Sequence, residues 1–139
     1  MSQMTRQSRP DFVWLLEDLV DRVPHARIAL LLSGDGLAMA AHGAEPDLVD
    51  KLAAVASGIH GLARTAGIEV ADDGGVRQVI AELATTTLFV TTAAAGTRLL
   101  VIAGRDADPG VLGYETAALG KRVGTHVSTP ARTPAQSAG

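Results

Sequence analysis

The sequence predicts an α/β domain with elements in the order α-β-β-α-β-β-β-α, a five-stranded antiparallel sheet with helices packed on it. Three observations carry this reading. Apolar residues recur at helical spacing in three segments, beginning near residues 12, 47 and 109. A near-continuous apolar run over 26–33 is followed by Gly34-Asp35-Gly36 and a second apolar stretch, the pattern of a hairpin. Three further β-like segments are joined by links as short as Ala84-Thr85 and Ala95-Gly96. Parallel neighbours need a crossover of about a dozen residues, so these strands are expected to run antiparallel.

The first helix is capped by Asp11, after Pro10, and shows Phe12, Leu15, Leu16, Leu19, Val20 and Val23 on one side, with Glu17, Asp18, Asp21 and Arg22 on the other. Pro24 ends it, because the residue before a proline is pushed out of the helical region. Residues 26–33 read as a strand buried on both faces, and Leu37 to His42 as its returning partner. Asp47 to Ala66 is the longest helical pattern. Leu48, Leu52, Val55, Ile59 and Leu62 form one stripe, widened by Val49, Ala56, Ala63 and Ala66, and Gly67 is the expected C-cap. Gly58 and Gly61 inside this helix each cost about 1 kcal/mol relative to alanine. Their presence points to close approach by another backbone, from this chain or from a second copy.

Asp72-Asp73-Gly74-Gly75 is a turn, followed by the β segments Val76 to Leu83, Thr86 to Ala93 and Arg98 to Ala103. The first of these has no clean face: Val76, Gln78, Ile80 and Glu82 alternate with Arg77, Val79, Ala81 and Leu83, as in an edge strand that is solvated or paired across an interface. Asp108-Pro109 starts the last helix, whose stripe includes Val111, Leu112, Leu119 and Val123. By organisation, 1–10 is a flexible arm, 11–127 one domain, and 128–139, rich in Pro, Thr, Ser and Ala, a disordered tail.

Composition narrows the function classes. A chain of 139 residues is one domain by size and buries about 68% of its unfolded surface. Hydrophobic residues make up 47% but aromatics only 3%, so the core is expected to be Ala, Val, Leu and Ile around Phe12, Trp14, Phe89 and Tyr114. A net charge of −3 and scarce aromatics argue against nucleic acid as a partner. With no cysteine there is no disulfide, thiol nucleophile or thiolate metal site. The polar N-terminus lacks the apolar core of a signal peptide, and no apolar run approaches the ~20 residues of a membrane span. A cytoplasmic protein with no membrane insertion is expected.

Catalytic constellations are missing. Gly34-Asp35-Gly36 lacks the spacing and lysine of a phosphate-binding loop, and a hairpin turn accounts for it. His25, His42, His60 and His126 form no metal-ligand pair, and Ser33, Ser57 and Ser128 sit in no nucleophile elbow. Glu17-Asp18 and Asp72-Asp73 read as solvated charge rather than metal or acid/base sites. Lys121 and Arg122 complement the dipole at the end of the last helix, with contact to an acidic partner as the other reading. No catalytic residue, cofactor or metal is therefore expected.

Residues 11–126 nevertheless resemble one family throughout. The carrying residues are Leu15 to Pro24, Ala29 to Leu37, Leu52 to Ile59, Leu62-Ala63-Arg64, Val76-Arg77-Gln78, Leu88-Phe89-Val90, Gly96-Thr97 and Gly113-Tyr114-Glu115. Each match is short, but they are collinear, and the chain resembles the Roadblock/dynein light-chain family, nearest its bacterial members from GTPase-linked operons. The resemblance implies a profilin-like fold and a homodimer in which the second helix and third strand meet across a two-fold axis. On this chain that interface maps to Leu52, Ala53, Val55, Ala56, Ser57, Gly58, Ile59, Gly61, Arg77, Gln78 and Ile80. It implies a non-enzymatic regulator or scaffold for a small Ras-like GTPase, with a sensor kinase-like protein from the same operon as a further partner. Bacterial relatives can act without supplying an arginine finger; Arg27, Arg64, Arg77, Arg98 and Arg105 are this chain's candidates for that alternative. The alanine-rich Thr116-Ala117-Ala118 departs from the family pattern. A small-molecule-sensing module of profilin-like shape is the alternative function, and it requires a cavity between sheet and helix.

Overall fold

The computed structural model describes residues 10–128. The expected arm and tail lie outside the described residues, apart from Pro10 and Ser128 at their inner ends. The first helix, α1, is Pro10–Arg22. Asp11 lies inside its first turn, where Oδ1 accepts the Phe12 N–H at 3.0 Å. At the other end the Val23 N–H donates to Leu19 O at 3.0 Å. Beyond Pro24, His25 takes φ 74° and turns the chain into the sheet.

Strands β1, Ala26–Leu32, and β2, Ala38–His42, form the expected hairpin. Gly36 supplies the left-handed residue of its turn, at φ 88°, and donates to Ser33 O at 2.9 Å. Helix α2, Pro46–Glu69, follows, then β3, Gln78–Glu82, β4, Thr86–Thr92, a short 3-10 turn, β5, Arg98–Gly104, and α3, Pro109–Ser128. Asp108 caps α3 as expected, its Oδ1 accepting the Gly110 N–H at 2.8 Å. The element order and the sheet are those read from the sequence: five strands in the order β2-β1-β5-β4-β3, every neighbour antiparallel.

The sheet is the middle of three layers. One face carries α1 and α3 over Phe12, Leu16, Leu31, Phe89, Val101 and Leu112. The other carries α2 over Leu30, Leu32, Val90, Leu100 and Ile102. Successive residues of β1 and β5 thus enter opposite cores, which is why both read as unbroken apolar runs.

Three expectations change. Trp14 and Tyr114 are not core residues: they are 58% and 72% exposed. Trp14 lies off the buried stripe of Phe12, Leu15, Leu16 and Leu19, under the Arg122 guanidinium, 5.5 Å from the ring centroid. Gly67 does not cap α2. The helix runs on to Glu69 and closes with Ala71 in the left-handed region at φ 63°. The Asp72 N–H reaches Gly67 O at 2.9 Å and the Ala71 N–H reaches Ile68 O at 3.2 Å, a Schellman closure with alanine where glycine is usual. Finally, β3 is shorter than the segment 76–83, because the chain is still leaving the 72–75 turn at Val76 and Arg77.

Candidate interaction face

Helix α2 carries two apolar stripes, and the sheet takes the smaller. Val49, Ala53, Ala56 and His60 face inward and are buried. Alanines at the contact let the helix axis sit close to the strands. Leu48, Val55, Leu62 and Ile68 face out, with Leu62 74% and Ile68 63% exposed. Fully burying one such side chain is worth about 1.5–3 kcal/mol, a gain a solitary chain forgoes at each position. Beside this stripe lies β3, at the end of the sheet, paired on one side only.

The structure sorts the predicted interface residues accordingly. Ala53 and Ala56 are committed to the chain's own sheet. Leu52, Ser57 and Ile59 are half-buried, and Val55, Gly58, Gly61, Arg77, Gln78 and Ile80 are exposed. A Cβ built on Gly58 or Gly61 would meet nothing within 4 Å. The glycines therefore make no close approach within the described chain.

Polar groups stitch the inner side. His60 Nε2 lies 3.4 Å from Thr92 Oγ1, which donates to Val76 O at 2.7 Å and ties α2 to the entrance of β3. Burial lowers the His60 pKa below its usual value, and the positive charges of Arg98 and Arg64 push the same way. Ser57 Oγ is buried with no hydrogen-bond partner among the described residues. It sits against the β1–β2 turn, where a Cβ on Gly36 would come within 2.6 Å of it. In that turn Ser33 Oγ donates to Asp35, which lowers the carboxyl pKa.

An open cleft of about 750 Å³ separates the C-terminal half of α2 from the 72–78 segment. Ala63, Gly67, Ile68 and Val76 line it with Arg64, Arg77, Asp72 and Asp73. Of the other arginine-finger candidates, Arg27 and Arg105 are exposed and Arg98 is half-buried; Arg105 Nη1 donates to Ala84 O at 3.4 Å.

No group of three or more His, Asp or Glu among the described residues is placed to hold a metal. Glu17 and Asp18 are partnered inside the chain: Glu17 lies 3.9 Å from His42, and Asp18 binds Arg22 at 3.3 Å and Arg122 at 3.4 Å. Arg122 is thus engaged with α1 rather than held out toward a partner. Asp72 Oδ1 accepts the Gly74 N–H at 2.8 Å within its own turn. Among the described residues no helix is long and apolar enough to cross a membrane.

A three-layer domain with an antiparallel sheet of this order has the profilin-like fold. Residues 12–103 match the Roadblock/LC7 domain, and the chain belongs to that family. A Roadblock/LC7 domain structure from Streptomyces avermitilis is 54% identical over 84% of this chain and 98% of its own, with a TM-score of 0.81. Myxococcus xanthus MglB shares the fold at 13% identity, covering 86% of this chain and 97% of its own, TM-score 0.76. Acanthamoeba castellanii profilin IA, 12% identical over 83% of this chain and 98% of its own, has a TM-score of 0.52. No curated protein matches the chain in sequence.

Proposed function

We propose that this chain is a non-enzymatic dimeric regulator or scaffold of a small Ras-like GTPase in a bacterial, cytoplasmic signalling system. The observation that carries the reading is the outward apolar stripe of α2 beside the open edge of β3. A second copy that covers both uses one self-complementary patch, as two-fold interfaces do. The exposed Gly58 and Gly61 then admit the partner helix closely, and the exposed Val55, Arg77, Gln78 and Ile80 are free of the chain's own core. The paired domains form a rigid platform, and the GTPase supplies its own catalytic groups. A sensor kinase-like protein encoded nearby is a further partner of the same platform.

The test is a pull-down with the GTPase from the same operon in both nucleotide states, followed by single-turnover hydrolysis with and without this chain. Binding in one state, with or without faster hydrolysis, supports the reading; no binding in either state overturns it. The α2–β3 cleft favours one second reading, a small-molecule sensor. A metabolite or nucleotide present at 100 times its Kd would add about 2.7 kcal/mol of stability, readable as a thermal shift.

A further inference from the structure

The cleft between the C-terminal half of α2 and the 72–78 segment has walls that are pinned and charges that are not. The Asp72 N–H donates to Gly67 O at 2.9 Å, which fastens the turn to the helix end. Beyond the turn, Val76 O accepts from Thr92 Oγ1 at 2.7 Å. Arg77 O accepts the Thr92 N–H at 3.0 Å and Thr91 Oγ1 at 3.1 Å, so this wall is held on β4. Four exposed side chains of both signs, Arg64, Arg77, Asp72 and Asp73, line the space between. Among the described residues neither arginine forms an ion pair with either aspartate. The charge of Arg64 is felt at His60 instead, where it opposes protonation. Ala63, Gly67, Ile68 and Val76 supply apolar surface beside the charges.

A ligand matched to this lining carries an anionic group, hydrogen-bond donors and a flat apolar body. The volume of about 750 Å³ lies within the usual range of small-molecule sites and far exceeds a bare phosphate. We propose that the cleft binds a guanine nucleotide, with its phosphate on Arg64 and Arg77 and the donor edge of its base on Asp73. The proposal rests on the small-molecule reading above and names the ligand class. Two guanidinium groups suit a phosphate, which each can meet with paired N–H donors. Guanine offers N1–H and the N2 amino group side by side, a match for the two oxygens of one carboxylate. Adenine offers one donor and one acceptor on that edge, and its acceptor would face a carboxylate. Asp72 Oδ1 is already occupied by the Gly74 N–H at 2.8 Å, which leaves Asp73 as the reader of the base. The C-terminal end of α2, the negative end of its dipole, disfavours the phosphate there and keeps it at the arginines.

The test is titration calorimetry and thermal shift on the full chain with GMP, AMP, guanosine and inorganic phosphate. Arg77 and Gln78 also belong to the expected interface between copies, so light scattering follows self-association in the same samples. GMP binds and raises the melting temperature, AMP binds at least about tenfold more weakly, and guanosine and phosphate give no shift at the same concentration. Arg64→Ala and Arg77→Ala each weaken GMP by about tenfold or more. Asp73→Asn leaves the melting temperature without ligand unchanged and removes the preference for GMP over AMP. Equal binding of AMP and GMP overturns the guanine assignment, and an equal shift from phosphate alone overturns a nucleotide site. GMP binding that neither arginine variant weakens places the nucleotide elsewhere and overturns the site. A different metabolite that binds and is lost in Arg77→Ala, with GMP silent, overturns the proposal and leaves the small-molecule reading. No shift from any metabolite overturns both.

Discussion

His60 shows how a single side chain links stability to pH. It is buried between α2 and the sheet, beside Thr92, with Arg98 and Arg64 near enough to oppose its charging. Its folded-state pKa lies below the unfolded value near 6.5, so the unfolded chain takes up a proton first as pH falls. Stability is then full above pH 6.5 and declines below it, until the folded form also protonates. Replacing His60 by Gln should flatten that decline in urea titrations run from pH 7.5 to 5. Two other residues should yield stability when changed. Ala71→Gly relieves the left-handed alanine that closes α2, a gain of about 1 kcal/mol less the entropy cost of glycine. Ser57→Ala removes a buried hydroxyl without a partner among the described residues and should raise stability by about 0.5–1 kcal/mol, whereas Gly36→Ala should lower it by about 1–3 kcal/mol, through strain at φ 88° and the approach to Ser57. Thermal and chemical melts check all three.

At the scale of the element, α2 is the decisive case. Leu48, Leu52, Val55, Ile59 and Leu62 recur every three or four residues, and so do Val49, Ala53, Ala56 and His60. Periodicity finds both stripes equally well, and side-chain size suggests that the large one belongs to the core. The sheet accepts the small one, because alanines permit a closer helix-to-sheet contact than leucines would. The consequence is a clean separation of effects. Leu62→Glu should leave the melting temperature within a few degrees and weaken self-association at least tenfold by light scattering. Ala56→Glu, which buries a charge against Leu30 and Leu100, should abolish folding by circular dichroism. Gly58→Ala and Gly61→Ala meet open space in the described chain, so each should stabilise the fold by up to about 1 kcal/mol while loosening any dimer that needs those positions bare.

For the whole molecule, the sheet unites a hairpin and a meander through β1 and β5, the two strands buried on both faces. This leaves β3 and the outer side of α2 at one margin of the sheet, with Val79 on the α2 side of that strand and Ile80, opposite Phe89, on the α1 and α3 side. Losing that surface without unfolding should abolish any effect on a GTPase. Leu62→Glu tested in the hydrolysis assay should match the rate without added protein if the dimer is the active form.

Much of the fold was legible in the residues: three helical segments, the hairpin turn, the Asp108-Pro109 start and the two-sided burial of β1 all follow from local patterns of side-chain polarity and backbone freedom. The interface candidates were legible only as a mixed list, because spacing along a helix does not say which stripe meets its own sheet. The misplacement of Trp14 and Tyr114 has a related cause. A large ring signals apolar area, but Trp14 stands off the stripe of Phe12, Leu15, Leu16 and Leu19 that its helix turns to the core. The sequence by itself thus determined which segments are helix and strand and the order in which they follow one another. Only the tertiary structure decided that α2 turns Val49, Ala53, Ala56 and His60 to the sheet and leaves Val55 and Leu62 outside, and that β3 lies at the edge beside them, since packing distance between layers is a property of facing surfaces and belongs to no single segment.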